Sequence, residues 1–311
     1  MNVQARLAAA SLILTLFGAA CSPAADRKPD PAAAPAVAAS ADVYPFRIGS
    51  LQAVALRDGG LSLPNRAGAS PWADTLAVAG VLRGAGGSTD TIHLSIQPLL
   101  IRDGDRLVLI DTGARGGMGS EGRLMASLSA AGVEPGQITD ILISHSHGDH
   151  VGGLVGADGA LAFPNATIRM STAEWADLQA NPGDAGALIR TVTSKVQTFE
   201  PGAVLAPGIT AVALPGHTAG HMGYEIVSGS DRLLYLGDAM HSSLISVQRP
   251  EWVNGWDTDS PAAVATRQGL LERGASQPLR IYAPHFPFPG VGRFQRRDDG
   301  FVWVPETAVQ P

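Results

Sequence analysis

The run His-Ser-His-Gly-Asp-His at residues 145–150 constrains this 311-residue chain more than any other feature. It follows Ile141-Leu142-Ile143, an apolar run typical of a buried strand, so it lies on the loop at that strand's carboxyl end. Imidazole nitrogens and carboxylate oxygens, without a thiolate, suit Zn²⁺ and also accept Fe²⁺ or Mn²⁺. The run therefore predicts a metal site at the end of a strand.

Three more candidate ligands follow predicted strands elsewhere in the chain. His217 comes after the strand near residues 210–214, Asp238 after residues 233–236, and His285 after residues 281–283. One loop with three or four ligands cannot complete two metal sites, because each ion takes about four ligands. Polar residues at the ends of four buried strands therefore predict a binuclear centre.

Charge and cysteine content exclude several classes of protein. The formal net charge is −6, and the chain has a single cysteine. One cysteine rules out an intrachain disulfide framework and leaves metal binding to histidine and carboxylate side chains. A nucleic-acid-binding protein normally carries a basic stripe, so the mild acidity argues against a nucleic-acid partner. We expect a small-molecule substrate instead.

Residues 1–21 are typical of a secretory signal peptide of the bacterial lipoprotein type. Arg6 supplies the positive charge, the uncharged run from Leu7 to Ala20 is too short to cross a bilayer, and Cys21 is the candidate lipid acceptor. Ordinary cleavage after an Ala-x-Ala-like stretch, with an incidental cysteine, is the alternative. We expect export to the bacterial periplasm, with contact to a membrane only through a lipid anchor at Cys21.

Residues 22–41 are rich in proline and alanine and lack apolar periodicity, which predicts an extended tether. Residues 42–311 form the predicted folded domain, in which two strand-rich halves are separated by helices. This order predicts an α+β fold of four layers, an αββα sandwich, with the metal site at strand ends between the two sheets. A capping box of Ser171 and Glu174 is predicted to begin one helix, and another is predicted from Ser260 to Gly274.

Together these motifs resemble those of the metallo-β-lactamase-fold hydrolase superfamily over about residues 43–305. The matching segments are Asp111-Thr112-Gly113, the 145–150 run with Val151-Gly152-Gly153, Gly216-His217-Thr218-Ala219-Gly220-His221, Gly237-Asp238 and His285. Three further segments are similar to the branch that contains methyl parathion hydrolase and the quorum-quenching lactonases. They are Leu56-x-Asp58-Gly59, Gly237-Asp238-Ala239-Met240-His241 and His285-Phe286-Pro287-Phe288-Pro289-Gly290.

The resemblance implies two divalent cations, with Zn²⁺ as the first choice and iron, manganese or cobalt as other options. It assigns one metal to His145, His147 and His217, the other to Asp149, His150 and His285, and the bridge between them to Asp238. In such a centre a hydroxide shared by the two cations attacks the substrate. Asp149 or Asp238 would orient that nucleophile and pass its proton to the leaving group.

Other residues are predicted to surround the ligands. His241, three residues after Asp238, is expected to point into the substrate pocket, whereas Asp111 and His221 are expected to orient ligands without binding metal. The apolar pocket residues are predicted to be Trp175, Trp252 and Phe288.

The sequence thus predicts a metal-dependent hydrolase of lactones or esters, with organophosphate triesters as a main or a side activity. Two alternatives are a metallo-β-lactamase that hydrolyses β-lactams and a metal-binding surface lipoprotein without catalysis. The intact ligand set argues against the second. The native metal, the physiological substrate and the oligomeric state are left open, and a homodimer is one option.

Overall fold

A computed structural model describes Met1 and residues 37–306 of the chain. The predicted signal peptide, its Cys21 and most of the predicted tether lie outside the described residues. Within residues 37–306, we find no helix whose length and apolar character would let it cross a lipid bilayer.

The described residues contain sixteen strands and seven α-helices. The strands are β1 (Val43–Ile48), β2 (Leu51–Leu56), β3 (Gly59–Pro64), β4 (Thr91–Ile96), β5 (Leu99–Asp103), β6 (Arg106–Ile110), β7 (Asp140–Leu142), β8 (Thr167–Ser171), β9 (Val196–Phe199), β10 (Val204–Ala206), β11 (Ile209–Ala213), β12 (Met222–Ser228), β13 (Asp231–Tyr235), β14 (Arg280–Tyr282), β15 (Val291–Arg297) and β16 (Gly300–Pro305). The helices are α1 (Thr75–Gly84), α2 (Leu124–Ala130), α3 (Gly148–Val151), α4 (Thr172–Ala180), α5 (Gly186–Val192), α6 (Ile245–Gln248) and α7 (Ser260–Ser276).

Two seven-stranded sheets form the centre of the fold. The first has the order β1-β2-β5-β6-β7-β8-β9, and the second runs from β10 to β16 in chain order. Strands β6 to β9 pair in parallel, as do β13 and β14, and the other neighbours in the two sheets are antiparallel. Strands β3 and β4 make a separate two-stranded ribbon.

Alternation along the strands divides the core into layers. In β6, Leu107 and Leu109 join the cluster that includes residues of α2, α4 and α5, whereas Val108 and Ile110 face the second sheet. Side chains on a strand alternate between faces, so one short strand can serve both layers. On the far face of the second sheet, Leu270 and Leu271 of α7 pack on a third cluster. The predicted αββα sandwich is confirmed.

The strand ends position the polar loops. In the first sheet, β6 ends at Ile110, directly before Asp111, and β7 ends at Leu142, shortly before the 145–150 run. These two strands are parallel neighbours, so the segments that follow them leave the same edge of the sheet. In the second sheet, β13 and β14 end before Asp238 and His285 in the same way. The edge at which these loops meet therefore holds the candidate ligands from both sheets.

Adjacent residues of β12 test this layering. Ile226 is 0% exposed in the cluster between the sheets, and Val227 on the opposite face is 36% exposed. We predict that Ile226→Ala lowers the free energy of unfolding by about 2–5 kcal/mol because it leaves a cavity. The matched variant Val227→Ala should cost less than about 1 kcal/mol. Urea denaturation measures both; equal losses would contradict the assignment of faces.

Candidate metal centre

Seven histidine and aspartate side chains form two groups at the common edge of the sheets. The first group is His145, His147, His217 and Asp238, and the second is Asp149, His150 and His285. Within each group, the candidate ligand atoms all lie within 4.8 Å of one another. All seven residues are buried except His147, which is partly buried.

The first group closes around one point. His147 Nδ1 lies 3.0 Å from both His145 Nε2 and His217 Nε2. Asp238 Oδ2 lies 3.5 Å from His217 Nε2 and 3.8 Å from His145 Nε2. Three imidazole nitrogens and one carboxylate oxygen converge, which is the donor number of a tetrahedral site.

The second group lies on the other side of Asp238. Asp238 Oδ1 is 3.1 Å from His150 Nε2 and 3.0 Å from His285 Nε2. Asp149 Oδ2 is 3.7 Å from His150 Nε2 and 3.5 Å from His285 Nε2. His285 Nε2 also lies 3.1 Å from Asp238 Oδ2, the oxygen nearer the first group, so the carboxylate of Asp238 lies between the two groups, where a bridging carboxylate would have to be.

These residues fit a pair of cations on the evidence of their own unpaired atoms. His150 Nε2 and Asp238 Oδ1 are buried and make no hydrogen bond, although they lie 3.1 Å apart. A buried polar atom without a partner is costly, so such pairs are rare in folded proteins. A metal ion between them would satisfy both atoms.

Burial and the neighbouring charges shift the pKa values of the cluster residues in different directions. Burial lowers the pKa of His217 to about 3 and that of His145 well below its usual value, so both rings are neutral. Burial also opposes charge on His150, but the carboxylates of Asp238 and Asp149 outweigh it and raise the pKa of His150 well above normal. For Asp238, burial acts to raise the pKa, yet the surrounding imidazoles hold it well below its usual range. The carboxylate of Asp238 is therefore ionised.

Contacts outside the cluster fix the rings of three ligands. Each donates its Nδ1–H outward: His150 to Asp111 Oδ2 at 2.7 Å, His217 to Asp257 Oδ1 at 3.1 Å, and His285 to the Ser95 carbonyl at 2.7 Å. A hydrogen bond at one ring nitrogen fixes the tautomer and directs the lone pair of the other nitrogen. Nε2 of each ring consequently faces the cluster.

Asp111 and His221 lie where a supporting role would need them. Asp111 has φ of 60°, and its Oδ2 also accepts hydrogen bonds from Ser144 Oγ at 2.7 Å and from Tyr235 Oη at 2.6 Å. His221 donates Nδ1–H to the Leu214 carbonyl at 2.9 Å and accepts the backbone N–H of Asp238 at Nε2, also at 2.9 Å. Both ring nitrogens of His221 are used in this way, so it holds Asp238 and offers no ligand atom.

Glu174 is a functional candidate that sequence reasoning missed. It is 0% exposed; its Oε1 accepts from the N–H and hydroxyl of Ser146 at 2.8 and 2.6 Å, and its Oε2 accepts from Thr218 Oγ1 at 2.7 Å and Gly220 N at 2.9 Å. One carboxylate therefore joins the loop of His145 and His147 to the loop of His217. Its only sequence signal was the capping box, and Ser171 Oγ does accept the Glu174 N–H at 3.1 Å.

A cavity of about 300 Å³ opens onto the cluster. Its polar side is formed by His147, Gly148, Asp149, His217, Asp238, His241 and His285, and its apolar side by Leu61, Leu63, Leu94, Met118 and Trp256. No lysine or arginine of the described residues lines it. His241 faces this cavity as expected; it is 2% exposed, and neither of its ring nitrogens has a hydrogen-bond partner.

The three other aromatic residues predicted for the pocket do not line this cavity. Trp175 packs on the helix side of the first sheet, and Phe288 packs against the cluster between the sheets. Trp252 lines a separate surface groove beside α1 and the β15–β16 hairpin. Each covers core surface instead, and the aromatic ring in the cavity belongs to Trp256.

The sequence profile of the metallo-β-lactamase superfamily matches residues 94–301. With the four-layer fold and the paired ligand groups, this match shows that the chain belongs to the metallo-β-lactamase superfamily, a family of metal-dependent hydrolases. The predicted family is confirmed.

Curated relatives match over a limited segment. A hydroxyacylglutathione hydrolase of Vibrio parahaemolyticus serotype O3:K6 (strain RIMD 2210633) is 33% identical over 103 residues, which is 33% of each chain. A second protein of that name, from Rhodopseudomonas palustris (strain BisB5), is 32% identical over 117 residues, 37% of this chain and 39% of the relative. The chain thus spans little more than a third of the length of these relatives.

Two solved structures match almost throughout. AidC, described as a dizinc quorum-quenching lactonase in complex with a product, is 29% identical with a TM-score of 0.79, covering 86% of this chain and 99% of AidC. AbOPH, described as a hydrolase in the β-lactamase superfamily, is also 29% identical, with a TM-score of 0.77 and coverage of 88% and 100%.

Replacing Glu174 tests its role as the link between the ligand loops. In Glu174→Gln one carboxylate oxygen becomes an NH₂ that faces two donors, so we predict zinc affinity reduced about 10-fold or more. The free energy of unfolding should fall by about 1–3 kcal/mol. Chelator competition and urea denaturation measure the two effects. The exposed Glu200→Gln is the matched control and should change neither; wild-type zinc affinity in Glu174→Gln would contradict the role.

Proposed function

We propose that the protein hydrolyses uncharged lactones and esters with two zinc ions bound in the paired groups. The observation that carries this proposal is the cavity, in which the histidine and aspartate cluster faces a wall of apolar side chains and no lysine or arginine of the described chain. A substrate that fits has a reactive carbonyl on one side and an apolar acyl or aryl group on the other.

The residues that would bind the metals form two groups, and Asp238 would be a ligand in both. His145, His147 and His217 would hold one ion, and Asp149, His150 and His285 the other. The nitrogen and oxygen donor set suits zinc, and AidC is described as a dizinc enzyme. When bound, the two ions would lower the pKa of a shared water and stabilise the negative charge that develops on the substrate oxygen.

Asp149 is the carboxylate best suited to move the proton. Asp238 lies within 3.2 Å of the Nε2 atoms of His150, His241 and His285, so imidazole rings crowd both of its oxygens. Asp149 lines the cavity, and its nearest imidazole nitrogen is 3.5 Å away. It can therefore orient the attacking water, accept its proton and return it to the leaving oxygen.

His241 and the apolar wall account for substrate orientation. His241 Nε2 lies 3.2 Å from Asp238 Oδ2, and neither ring nitrogen of His241 has a hydrogen-bond partner, so an N–H of this ring can donate to a carbonyl or leaving oxygen of the substrate. Leu61 and Leu63 are two residues apart and therefore lie on the same face of β3, and Leu94 of β4 pairs with Leu61. An acyl chain or aromatic ring lying on this wall would present its ester bond to the cluster.

The same wall disfavours anionic substrates. β-Lactams carry a carboxylate and glutathione thioesters carry two, and an anion buried without a partner is costly. The hydroxyacylglutathione hydrolases are similar over about a third of their length, a segment too short to carry their substrate to this chain. Phosphotriesters are uncharged, so they meet the requirement as a side activity.

A substrate panel tests the proposal. The metal-loaded protein should hydrolyse dihydrocoumarin and an N-acyl homoserine lactone with kcat/KM at least about 100-fold above that for nitrocefin or S-lactoylglutathione, because the cavity wall offers no lysine or arginine to pair with the substrate carboxylates. Paraoxon reports the triester activity. Efficient nitrocefin turnover would favour the β-lactamase alternative, and no turnover of any substrate would favour the non-catalytic one.

We also propose that the protein is exported and lipid-anchored through Cys21, with residues 22–41 as the tether. The support is the sequence alone: Arg6, the apolar run after it and the cysteine at its end. Palmitate labelling in a bacterial host should mark the wild type and disappear in Cys21→Ser. Labelling that persists in the variant, or never occurs, would contradict the anchor.

A further inference from the structure

The ring of His217 is hydrogen-bonded, on the side away from the cluster, to the carboxylate of Asp257, forty residues away in sequence. Asp257 Oδ1 accepts the Nδ1–H of His217 at 3.1 Å, and both side chains are 1% exposed. Asp257 is not a candidate ligand, because its near oxygen contacts the ring nitrogen that faces away from the cluster. Its direct contact with a candidate ligand is therefore the one with His217.

The other oxygen of Asp257 has two donors. Asn254 Nδ2 donates to Oδ2 at 2.8 Å, and Arg267 Nη1 lies 3.3 Å from the same atom. The carboxylate is thus fully engaged and has a fixed orientation, because rotating it would break contacts on both sides. A rigid acceptor in turn fixes the imidazole that donates to it.

Arg267 of α7 anchors this arrangement. Its residue exposure is 1%, which is unusual for an arginine. Besides Asp257, the guanidinium donates to the carbonyls of Pro250, Trp252 and Ala239 at 3.1, 3.3 and 3.4 Å. Ala239 directly follows Asp238. The buried guanidinium of Arg267 thus contacts both the backbone next to Asp238 and the side chain of Asp257, which supports His217.

The same network reaches the wall of the cavity. Asn254 Oδ1 accepts the backbone N–H of Trp256 at 3.0 Å. The ring of Trp256 lies 4.8 Å from that of His241 and 6.1 Å from that of Trp72, measured between centroids. Trp256 is therefore held between the network and the cavity that it lines.

Backbone contacts join this segment to the ligand loop. Thr258 N donates to the His217 carbonyl at 3.1 Å, and Asp259 N to the Gly216 carbonyl at 2.9 Å. Gly216 has φ of 123°, and a Cβ there would lie 2.1 Å from Ala263 N of α7. Only glycine permits this close approach, which brings α7 and its preceding turn against His217.

We infer that Asp257 is a positioning residue that fixes two parts of the site together, the ligand ring of His217 through Oδ1 and the cavity wall at Trp256 through Asn254, with Arg267 as the anchor. The inference rests on the proposed function for its metal and its substrate. It assigns the turn of residues 254–257 a role in setting both metal affinity and substrate fit.

Asp257→Asn tests the link to His217. An amide cannot accept on both sides, so one contact is lost, and we expect one of the two zinc ions to bind about 10–100-fold more weakly in chelator competition. The other ion should stay within about threefold of its wild-type affinity. In the metal-free full chain, long-range ¹H–¹⁵N spectra should show His217 protonated at Nδ1 in the wild type and not fixed in this tautomer in the variant.

Asp259→Ala is the matched control. Asp259 caps α7 by accepting the Ala262 N–H at 3.1 Å and does not contact the His217 ring. It should lower the melting temperature and leave both zinc affinities unchanged. Equal loss of affinity in Asp259→Ala, or wild-type binding and tautomer in Asp257→Asn, would overturn the inference. Should Asp257→Asn not fold, Arg267→Lys replaces it, since an ammonium cannot span the same partners and should weaken the same ion.

Asn254→Ala tests the link to the wall. It frees Trp256, while Arg267 still holds Asp257 against His217, so KM for a lactone should rise about threefold or more, with a smaller loss of zinc affinity than in Asp257→Asn. An unchanged KM would refute this half. Failure of the proposed function gives a different pattern: no lactone or ester turnover by wild type, with the zinc and tautomer results still obtained.

Discussion

The buried carboxylate of Asp238 is the interaction on which the rest of the site depends. It is 3% exposed, and its oxygens lie within 3.2 Å of three imidazole nitrogens, from His150, His241 and His285. A buried charge is costly unless opposite charges or hydrogen-bond donors lie around it. The neighbouring loops accordingly direct imidazole side chains toward Asp238, and His221 accepts a hydrogen bond from its backbone N–H.

This dependence explains why two sheets are needed. Asp149 and His150 belong to the edge of the first sheet, and Asp238 and His285 to that of the second, so the packing of one sheet on the other sets the distances within the cluster. Tyr235 spans the interface directly, because its hydroxyl on the second sheet donates to Asp111 of the first at 2.6 Å. The sandwich is therefore part of the ligand geometry as well as its scaffold.

The sequence was sufficient to select the seven side chains that the structure brings together, because each follows an apolar strand and strand ends are a local signal. It failed where a side chain's partners are distant. Asp257 has no pattern that points to His217, and Glu174 looked like half of a capping box, although its carboxylate joins two loops. Helix α7 begins at Ser260 as predicted, with Asp259 as its cap, but it continues past Gly274 to Ser276, since that glycine allows close contact with Phe294 and does not end the helix. The predicted pocket aromatics Trp175, Trp252 and Phe288 were misassigned because the residues they pack against are distant in sequence.

Anomalous diffraction at the zinc edge from crystals of the zinc-loaded protein tests the central claim most directly. Two peaks are expected about 3.5–4 Å apart, one on each side of Asp238. One peak would be surrounded by His145, His147 and His217, and the other by Asp149, His150 and His285. A single peak, or a second peak that Asp238 does not contact, would contradict the account.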